Sequence, residues 1–323
     1  MKICVLAYGR IKTSKRFYLQ LNEELKKKFD TVFFGYIEDV HLEVKTGEVK
    51  AYLKGRDFTQ FDAILPRFGP SYAGFGYLVL KALEGKVYFP NKPESYLTAN
   101  NKYTTLMKLV SSREVIIPKT YLCCSRELAK DLAKEMGGEI VIKQASGKSG
   151  GKGVVYSKGI KTTKSILDAL PHGSGEPIFL EEYLENPGED VRLYVIGDSV
   201  AACAKRVSMK DDIRSNLHSG GKYTTFASSQ ALQEMAVKSA KAIGADICGV
   251  DVVFSKKKPY LIEINMNPGF AISEIAGVNL FGKVVDFMEE NTRRFLKARD
   301  IEVNVTDFLN AVRDGFLSIF EKK

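Results

Sequence analysis

Tryptophan is absent from this 323-residue chain, and histidine and cysteine are scarce at three and five residues. The cysteines (Cys4, Cys123, Cys124, Cys203 and Cys248) are odd in number, lie mostly inside apolar runs and form no CxxC pair. The histidines (His41, His172 and His218) are scattered. This pattern disfavours a zinc site or a disulfide framework and leaves buried free thiols as the expectation. No segment reaches the roughly 18 uninterrupted apolar residues that cross a bilayer, so no membrane partner is expected. No GxGxxG follows the first apolar run, which leaves a dinucleotide site there unsupported. The opening MKICVLAYGRIKTSKR reads as a first strand rather than a signal, since charges follow it and no small-residue cleavage site appears. A cytoplasmic protein is the expectation.

Hydrophobic residues make up 45% of the chain and charged residues 27%, an ordinary globular balance that supplies a large core. A length of 323 residues suggests two or three subdomains. The net charge of +9 attracts anions, whether nucleotide, nucleic acid, headgroup or acidic polypeptide, and does not choose among them. Aromatic residues do not interleave with the basic ones as a base-stacking platform needs, so no direct nucleic-acid partner is expected.

Residues 1–94 alternate strand and helix signals: KICVLAY, a Lys/Leu/Phe-rich helical stretch, TVFFGYI, the hairpin-like HLEVKTGEVKAYLKG, and FDAILPRFG closed by a Pro/Gly turn. A small open α/β domain follows from that alternation. A helix over about Ala99–Ser112 carries Lys102. SRELAKDLAKEMGG predicts a helix with Ser125 as N-cap and Gly137–Gly138 as its stop. The strand EIVIKQ then leads through the loop ASGKSGGKG into VVYS, and IFLEEYLE forms a further strand. SSQALQEMAVKSAKAIG reads as a helix, and the residues from about Val284 onward look helical again.

The strongest chemical signal is GVDVVFSKKKPYLIEINMNPG, read as an antiparallel hairpin. Glu263 and Asn265 are two apart and share a strand face. A turn centred near Lys257 places Asp251 opposite Glu263. Three hard oxygen donors then converge, which suits magnesium completed by phosphate and water. The bland alternative is a solvated polar hairpin face. It is set aside because two unpaired carboxylates buried together are costly without a cation.

The loop from Ser146 to Gly153 includes Ser149, Gly150 and Gly151. Its glycines let backbone N–H groups approach phosphate, with Lys148 and Lys152 supplying charge. It joins two strands and is not a Walker A loop. Lys143, inside the apolar strand before it, needs an anion, either nucleotide phosphate or a structural carboxylate. Glu182, Tyr183 and Leu184 offer backbone and apolar walls for an adenine, and Asp190 an acceptor for ribose hydroxyls. Arg192, Arg206 and Arg214 are clustered in sequence and able to bind phosphate bidentately.

In order, Lys102, Lys143, SGKSGGKG, EEYL, DVR, KR, IRSNLHSGG, GVDVVF and IEINMNPG resemble the ATP-grasp superfamily and, within it, the RimK-type glutamate ligases. FDAILPRFG and NKYTTLMKL match as well, so the resemblance spans residues 1 to about 288. It implies an α/β chain with an ATP-grasp fold. A pre-ATP-grasp domain would occupy 1–94 and a central ATP-grasp subdomain with the glycine-rich lid 95–185. A C-terminal subdomain with the metal site would occupy 186–288 and a helical extension 289–323, with the nucleotide between the two subdomains. The resemblance further implies that Lys102 and Lys143 contact ATP phosphates, Glu181 faces the adenine amino group, and Glu182 to Leu184 supply the hinge. Asp251, Glu263 and Asn265 would hold two Mg2+ or Mn2+ ions. Arg206 would face the γ-phosphate, and Arg192, Arg214 and Asn216 would line the acyl-phosphate side.

The activity so implied is ATP-dependent carboxylate–amine ligation through an acyl phosphate. L-Glutamate or a related amino acid would be added to an acidic acceptor such as a ribosomal-protein tail or polyglutamyl substrate. Ligation onto a small cofactor or a carrier protein, an ATP-grasp phosphotransferase, and an ATP-regulated ribosome-binding protein are the alternatives. The chain departs from the family at Ser146, where a glutamate usually precedes the first loop glycine, and its loop is one residue longer. The C-terminal extension is read as a packing or oligomer helix, with a homo-oligomer as its consequence.

Overall fold

The computed structural model describes residues 1–9, 15–143, 154–170, 177–186, 188–207 and 222–320, without the side chains of Lys15 and most of those after Glu302. The first unit runs β1 (Lys2–Ala7), α1 (Lys15–Lys26), β2 (Thr31–Tyr36), β3 (Val40–Lys45), β4 (Glu48–Leu53), β5 (Arg56–Asp57), β6 (Ala63–Arg67) and α2 (Ala73–Leu83). β1 is the middle of a parallel sheet ordered β2-β1-β6, and β3-β4-β5 form a separate antiparallel sheet. The uninterrupted ICVLA run suits a central parallel strand, which is covered on both faces; all five residues are buried.

Next come α3 (Pro93–Asn100), α4 (Lys102–Leu109), β7 (Thr120–Cys123), α5 (Arg126–Glu135), β8 (Glu139–Lys143), β9 (Val154–Lys158), α6 (Ile160–Ala169) and β10 (Ile178–Glu182). The helix expected over Ala99–Ser112 is in fact two. Asn101 is extended (φ −124°, ψ 117°), and its side-chain oxygen accepts from the N–H groups of Tyr103 and Thr104. An asparagine that caps the next helix cannot also continue the previous one. Ser125 caps α5 by accepting from Leu128 N–H, and Gly137 and Gly138 end that helix at φ of 82° and 72°. The four strands form an antiparallel sheet ordered β7-β10-β8-β9, packed on α5 and α6.

The last part contains β11 (Glu189–Ile196), β12 (Ser199–Val207), β13 (Lys222–Thr225), α7 (Gln230–Ala242), β14 (Ile247–Ser255), β15 (Lys258–Asn265), α8 (Ile272–Ala276) and α9 (Leu280–Phe320). Its five strands are ordered β13-β12-β11-β14-β15, all antiparallel. One face, with Val191, Leu193, Val250 and Val252, packs on Leu232, Met235 and Ala236 of α7. On the opposite face, Tyr194, Ala202 and Ala204 share a core with Ile3, Val5 and Leu65 of the first sheet. Phe270 and α9 residues Val284, Val285 and Met288 complete that core. The start of α9 therefore belongs to the body of the protein, and its Arg299 reaches back to the Lys86 carbonyl at 3.1 Å. No helix among the described residues is long and apolar enough to cross a membrane.

Candidate active site

The β14–β15 hairpin turns through Lys256 and Lys257, both at positive φ (48° and 66°), as a tight turn with two left-handed central residues requires. Ser255 pairs with Lys258. Counted back from that turn alone, Asp251 would face Ile262. A one-residue bulge between Asp251 and Val252 shifts the register, so that Asp251 faces Glu263 and Gly249 faces Asn265. The same ladder continues into β11, where Arg192 faces Asp251 and Tyr194 faces Gly249. One sheet face thus carries Arg192, Asp251 and Glu263 in one row, with Tyr194, Gly249 and Asn265 in the next.

The physical premise offered for a metal is corrected by this geometry. Asp251 is buried (4% exposed) but not unpaired, and Glu263 is exposed rather than buried beside it. Arg192 donates from Nε to Asp251 Oδ1 at 2.7 Å and from Nη2 to Oδ2 at 2.6 Å. Arg206 donates from Nη2 to the same Oδ2 at 2.6 Å, and grips Asp190 through Nε (2.5 Å) and Nη2 (2.7 Å). Burial opposes ionisation of Asp251, but the two guanidinium charges outweigh it and hold the carboxyl below the usual carboxylate range. The arginines are shifted up for the reciprocal reason: burial works against their charge, and Asp251 restores it. Both Asp190 oxygens are engaged by Arg206, so a ribose hydroxyl at that carboxylate must compete with a guanidinium.

Asp251, Glu263 and Asn265 still fit a hard divalent cation by donor type, as two carboxylates and an amide oxygen. The Asn265 Oδ1 accepts one N–H, from Asn267 at 2.9 Å, which leaves its second lone pair. The described residues form no cluster of three or more His, Cys, Asp or Glu side chains able to hold a metal, so the third donor has to be the asparagine.

A cleft opens between the four-stranded and five-stranded sheets, lined by Lys102, Thr105, Lys143, Phe179, Glu181, Leu261 and Glu263. Lys143 on β8 faces Phe179 on β10 and reaches diagonally to Glu181, two residues further along β10, in an ion pair with both side chains 7% exposed. This is the structural-carboxylate alternative weighed for Lys143. Lys102 begins α4, held there by the Asn101 cap. Burial pushes its ammonium below the usual lysine value, and Glu263 opposes that shift while Lys143 adds to it. Glu182 accepts from Lys119 N–H at 2.7 Å, and its own N–H donates to the Lys119 carbonyl at 2.9 Å. Tyr183 packs on Tyr156 at 4.6 Å, and Leu184 is half-buried. Ser149, Gly150, Gly151, Arg214 and Asn216 lie outside the described residues; the first three fall between β8 and β9, an antiparallel pair, and the last two between β12 and β13.

Three side chains that sequence reasoning gave no role enter the same face: Arg67, Tyr194 and Asn267. Arg67 ends β6 and donates to the Pro268 carbonyl at 3.0 Å, while Asn267 Nδ2 donates to the Arg67 carbonyl at 3.1 Å. The available signal was a charge closing an apolar strand, the same signal that singled out Lys143.

Comparison with known proteins agrees with this architecture. The family model described as RimK-like ATP-grasp domain matches residues 99–288, and that described as RimK PreATP-grasp domain matches residues 1–95. A probable alpha-L-glutamate ligase of Xanthomonas oryzae pv. oryzae is 30% identical over 297 residues, covering 91% of this chain and 99% of its own. One from Thioalkalivibrio sulfidiphilus is 34% identical over 257 residues, covering 78% and 84%. The structure of ATP-grasp ligase PsnB complexed with minimal precursor, Mg and ADP superposes with a TM-score of 0.66 at 16% identity, covering 90% of this chain and 98% of PsnB. The chain belongs to the RimK-like ATP-grasp family and is an ATP-dependent acid–amino-acid ligase.

Proposed function

We propose that the protein joins L-glutamate to an acidic acceptor, with ATP and Mg2+ bound in the cleft between the four-stranded and five-stranded sheets. The observation that carries this reading is the convergence of Lys102, Lys143, Glu181 and Glu263 on one cleft, beside the face bearing Asp251 and Asn265. PsnB holds Mg and ADP in its solved complex, and the relatives named above are probable alpha-L-glutamate ligases. Lys102 and Lys143 supply cationic charge for the phosphates, and Glu181 with the backbone from Glu182 to Leu184 receives the adenine. Asp190, which Arg206 holds in the structure, receives the ribose.

Asp251, Glu263 and Asn265 would hold the metal, which supplies neutralisation of phosphate charge. In the reaction, an acceptor carboxylate oxygen bonds to the γ-phosphorus and the bond to ADP breaks. The amino group of glutamate then attacks the acyl carbon, phosphate leaves with the carboxylate oxygen, and the amine loses a proton. Arg206 and Arg192 are assigned to balancing the negative charge that moves from ATP to the acyl phosphate, as are Arg214 and Asn216. The glycine-rich loop, including Ser149, Gly150 and Gly151, is assigned to shielding that intermediate from water. The basic net charge favours an acidic polypeptide or polyglutamyl acceptor.

The test is incubation with ATP, Mg2+ and each amino acid in turn, following phosphate release and product mass. Glutamate-dependent release with products spaced by one glutamyl residue is the expected result. ADP formation with a phosphorylated product and no amide overturns it.

A further inference from the structure

Arg67 is a cation out of place. Its residue is 9% exposed, and no carboxylate among the described residues stands within ion-pair distance of it. Of its five N–H donors, one reaches the Pro268 carbonyl at 3.0 Å, and the guanidinium lies over the Phe270 ring at 4.8 Å. Arginine does not escape burial by losing its proton, so a buried guanidinium without a counter-charge is costly. The neighbouring buried arginines show the usual remedy, since Arg192 and Arg206 are both gripped by carboxylates.

Two further buried polar atoms at this junction lack a well-placed partner among the described residues. The Tyr194 side chain is fully buried, and among the described residues no group meets its hydroxyl at good hydrogen-bond geometry; the charge beside it is the Arg67 guanidinium. Asn267 spends its amide N–H on the Arg67 carbonyl and leaves Oδ1 without a donor. Buried polar groups are satisfied in the great majority of cases, and two exceptions beside a buried guanidinium call for a ligand. The junction adjoins the reaction face. Asn267 N–H bonds to Asn265, and Tyr194 faces Gly249 across the ladder. A side chain at Gly249 would meet Pro268 Cβ at 3.1 Å and Arg192 Nε at 3.4 Å, so only glycine leaves the two regions in contact.

A guanidinium, a hydroxyl and an amide oxygen are the complement of a carboxylate beside an amine. We infer that Arg67, Tyr194 and Asn267 form the subsite for the amino-acid substrate: Arg67 and Tyr194 bind its α-carboxylate, and Asn267 Oδ1 accepts from its amine. This inference rests on the ligase reading above. It adds which residues of the first and last sheets select an α-amino acid, and it places that substrate opposite the lysine-lined cleft. It also accounts for a buried arginine with no ion-pair partner among the described residues being kept where a methionine would pack at lower cost.

The test uses the full chain with Mg2+ and ADP, titrated calorimetrically with L-glutamate, L-aspartate and the α-carboxamide of glutamate. Tyr194→Phe removes one oxygen and keeps the packed ring, so the fold is preserved; Arg67→Met removes the charge. Loss of charged hydrogen bonds predicts amino-acid binding weakened ~10-fold in Tyr194→Phe and ~100-fold in Arg67→Met, with ADP affinity unchanged. The α-carboxamide should bind the wild-type protein as weakly as glutamate binds Arg67→Met. Unchanged glutamate binding in Tyr194→Phe, whatever the fate of Arg67→Met, overturns the inference, as does a wild-type protein that binds none of the three. The ligase reading is scored separately by product mass. A protein that binds an α-amino acid through Arg67 but forms no glutamyl amide keeps the subsite and loses the glutamate assignment. One that forms glutamyl amides equally well as Tyr194→Phe or Arg67→Met does the reverse.

Discussion

Arg192 meets Asp251 side-on across the β11–β14 ladder, with Nε to Oδ1 at 2.7 Å and Nη2 to Oδ2 at 2.6 Å, both side chains at most 10% exposed. Planar fork on planar carboxylate is the strongest geometry available to such a pair. Arg206 adds a third contact from β12 and ties Asp251 to Asp190. The residue proposed to ligate metal is thus also the hub of the charge network across three strands.

Asp251→Asn should therefore fail in two ways. It leaves Arg192 without a carboxylate partner while Arg206 keeps Asp190, at a cost of about 3 kcal/mol in stability. It also weakens any metal-dependent nucleotide affinity. Denaturant unfolding and ADP titration with and without Mg2+ measure the two effects. A variant with unchanged Mg2+-dependent ADP binding would falsify the metal assignment.

The Lys143–Glu181 pair invites a double-mutant cycle. Lys143→Met or Glu181→Met alone strands a buried charge and should cost about 3–5 kcal/mol, whereas the double variant should approach wild-type stability. Nucleotide binding separates structure from function here. If Lys143 binds phosphate, the double variant folds normally and still loses most ADP affinity; normal ADP affinity in that variant makes the pair purely structural.

Asn101 holds the first turn of α4, where Lys102 is presented to the cleft. Asn101→Ala should cost about 1 kcal/mol and weaken ADP binding several-fold by loosening that turn. Ser125→Ala removes a comparable cap from α5 and serves as the control. Equal effects of the two variants on ADP affinity would remove the special role of Asn101.

Thiol chemistry tests burial directly. Burial pushes the Cys4 thiol up to about 12 and Cys203 to about 11, and raises Cys248 as well, while Cys124 is exposed. Thiolate is the reacting form, so an aromatic disulfide reagent at pH about 8 should label Cys124 quickly and leave Cys4 and Cys248 until unfolding. Rapid labelling of Cys248 in the native protein would contradict the packing of β14.

Much of the site was legible because strand periodicity is local. The alternation in VDVV and IEIN put Asp251 on one face of β14 and Glu263 with Asn265 on one face of β15, and apolar neighbours placed Lys143 inside a sheet. The opposition of Asp251 and Glu263 was anticipated, yet it depends on a bulge that compensates for a turn half a residue away from its expected centre. A bulge leaves no fixed mark in sequence, since it is selected by how two strands twist together. The break at Asn101 was missed because asparagine is tolerated in helices, and its capping role shows only when Tyr103 and Thr104 need an acceptor.

By itself the sequence determined which residues are apolar, where helices are capped, which strands alternate, and the order of motifs that marks an ATP-grasp ligase. Those are properties of neighbours along the chain. Tertiary structure alone decided which charges meet. Asp190 with Arg206, Glu181 with Lys143 and Asp251 with two arginines are pairings across strands up to 59 positions apart. The surroundings of Arg67 were decided the same way. It ends β6 with no carboxylate among the described residues beside it, and the turn after β15, 201 residues later, brings a proline carbonyl and an aromatic ring. Coulomb energy depends on separation in space, and the sequence records only separation along the chain.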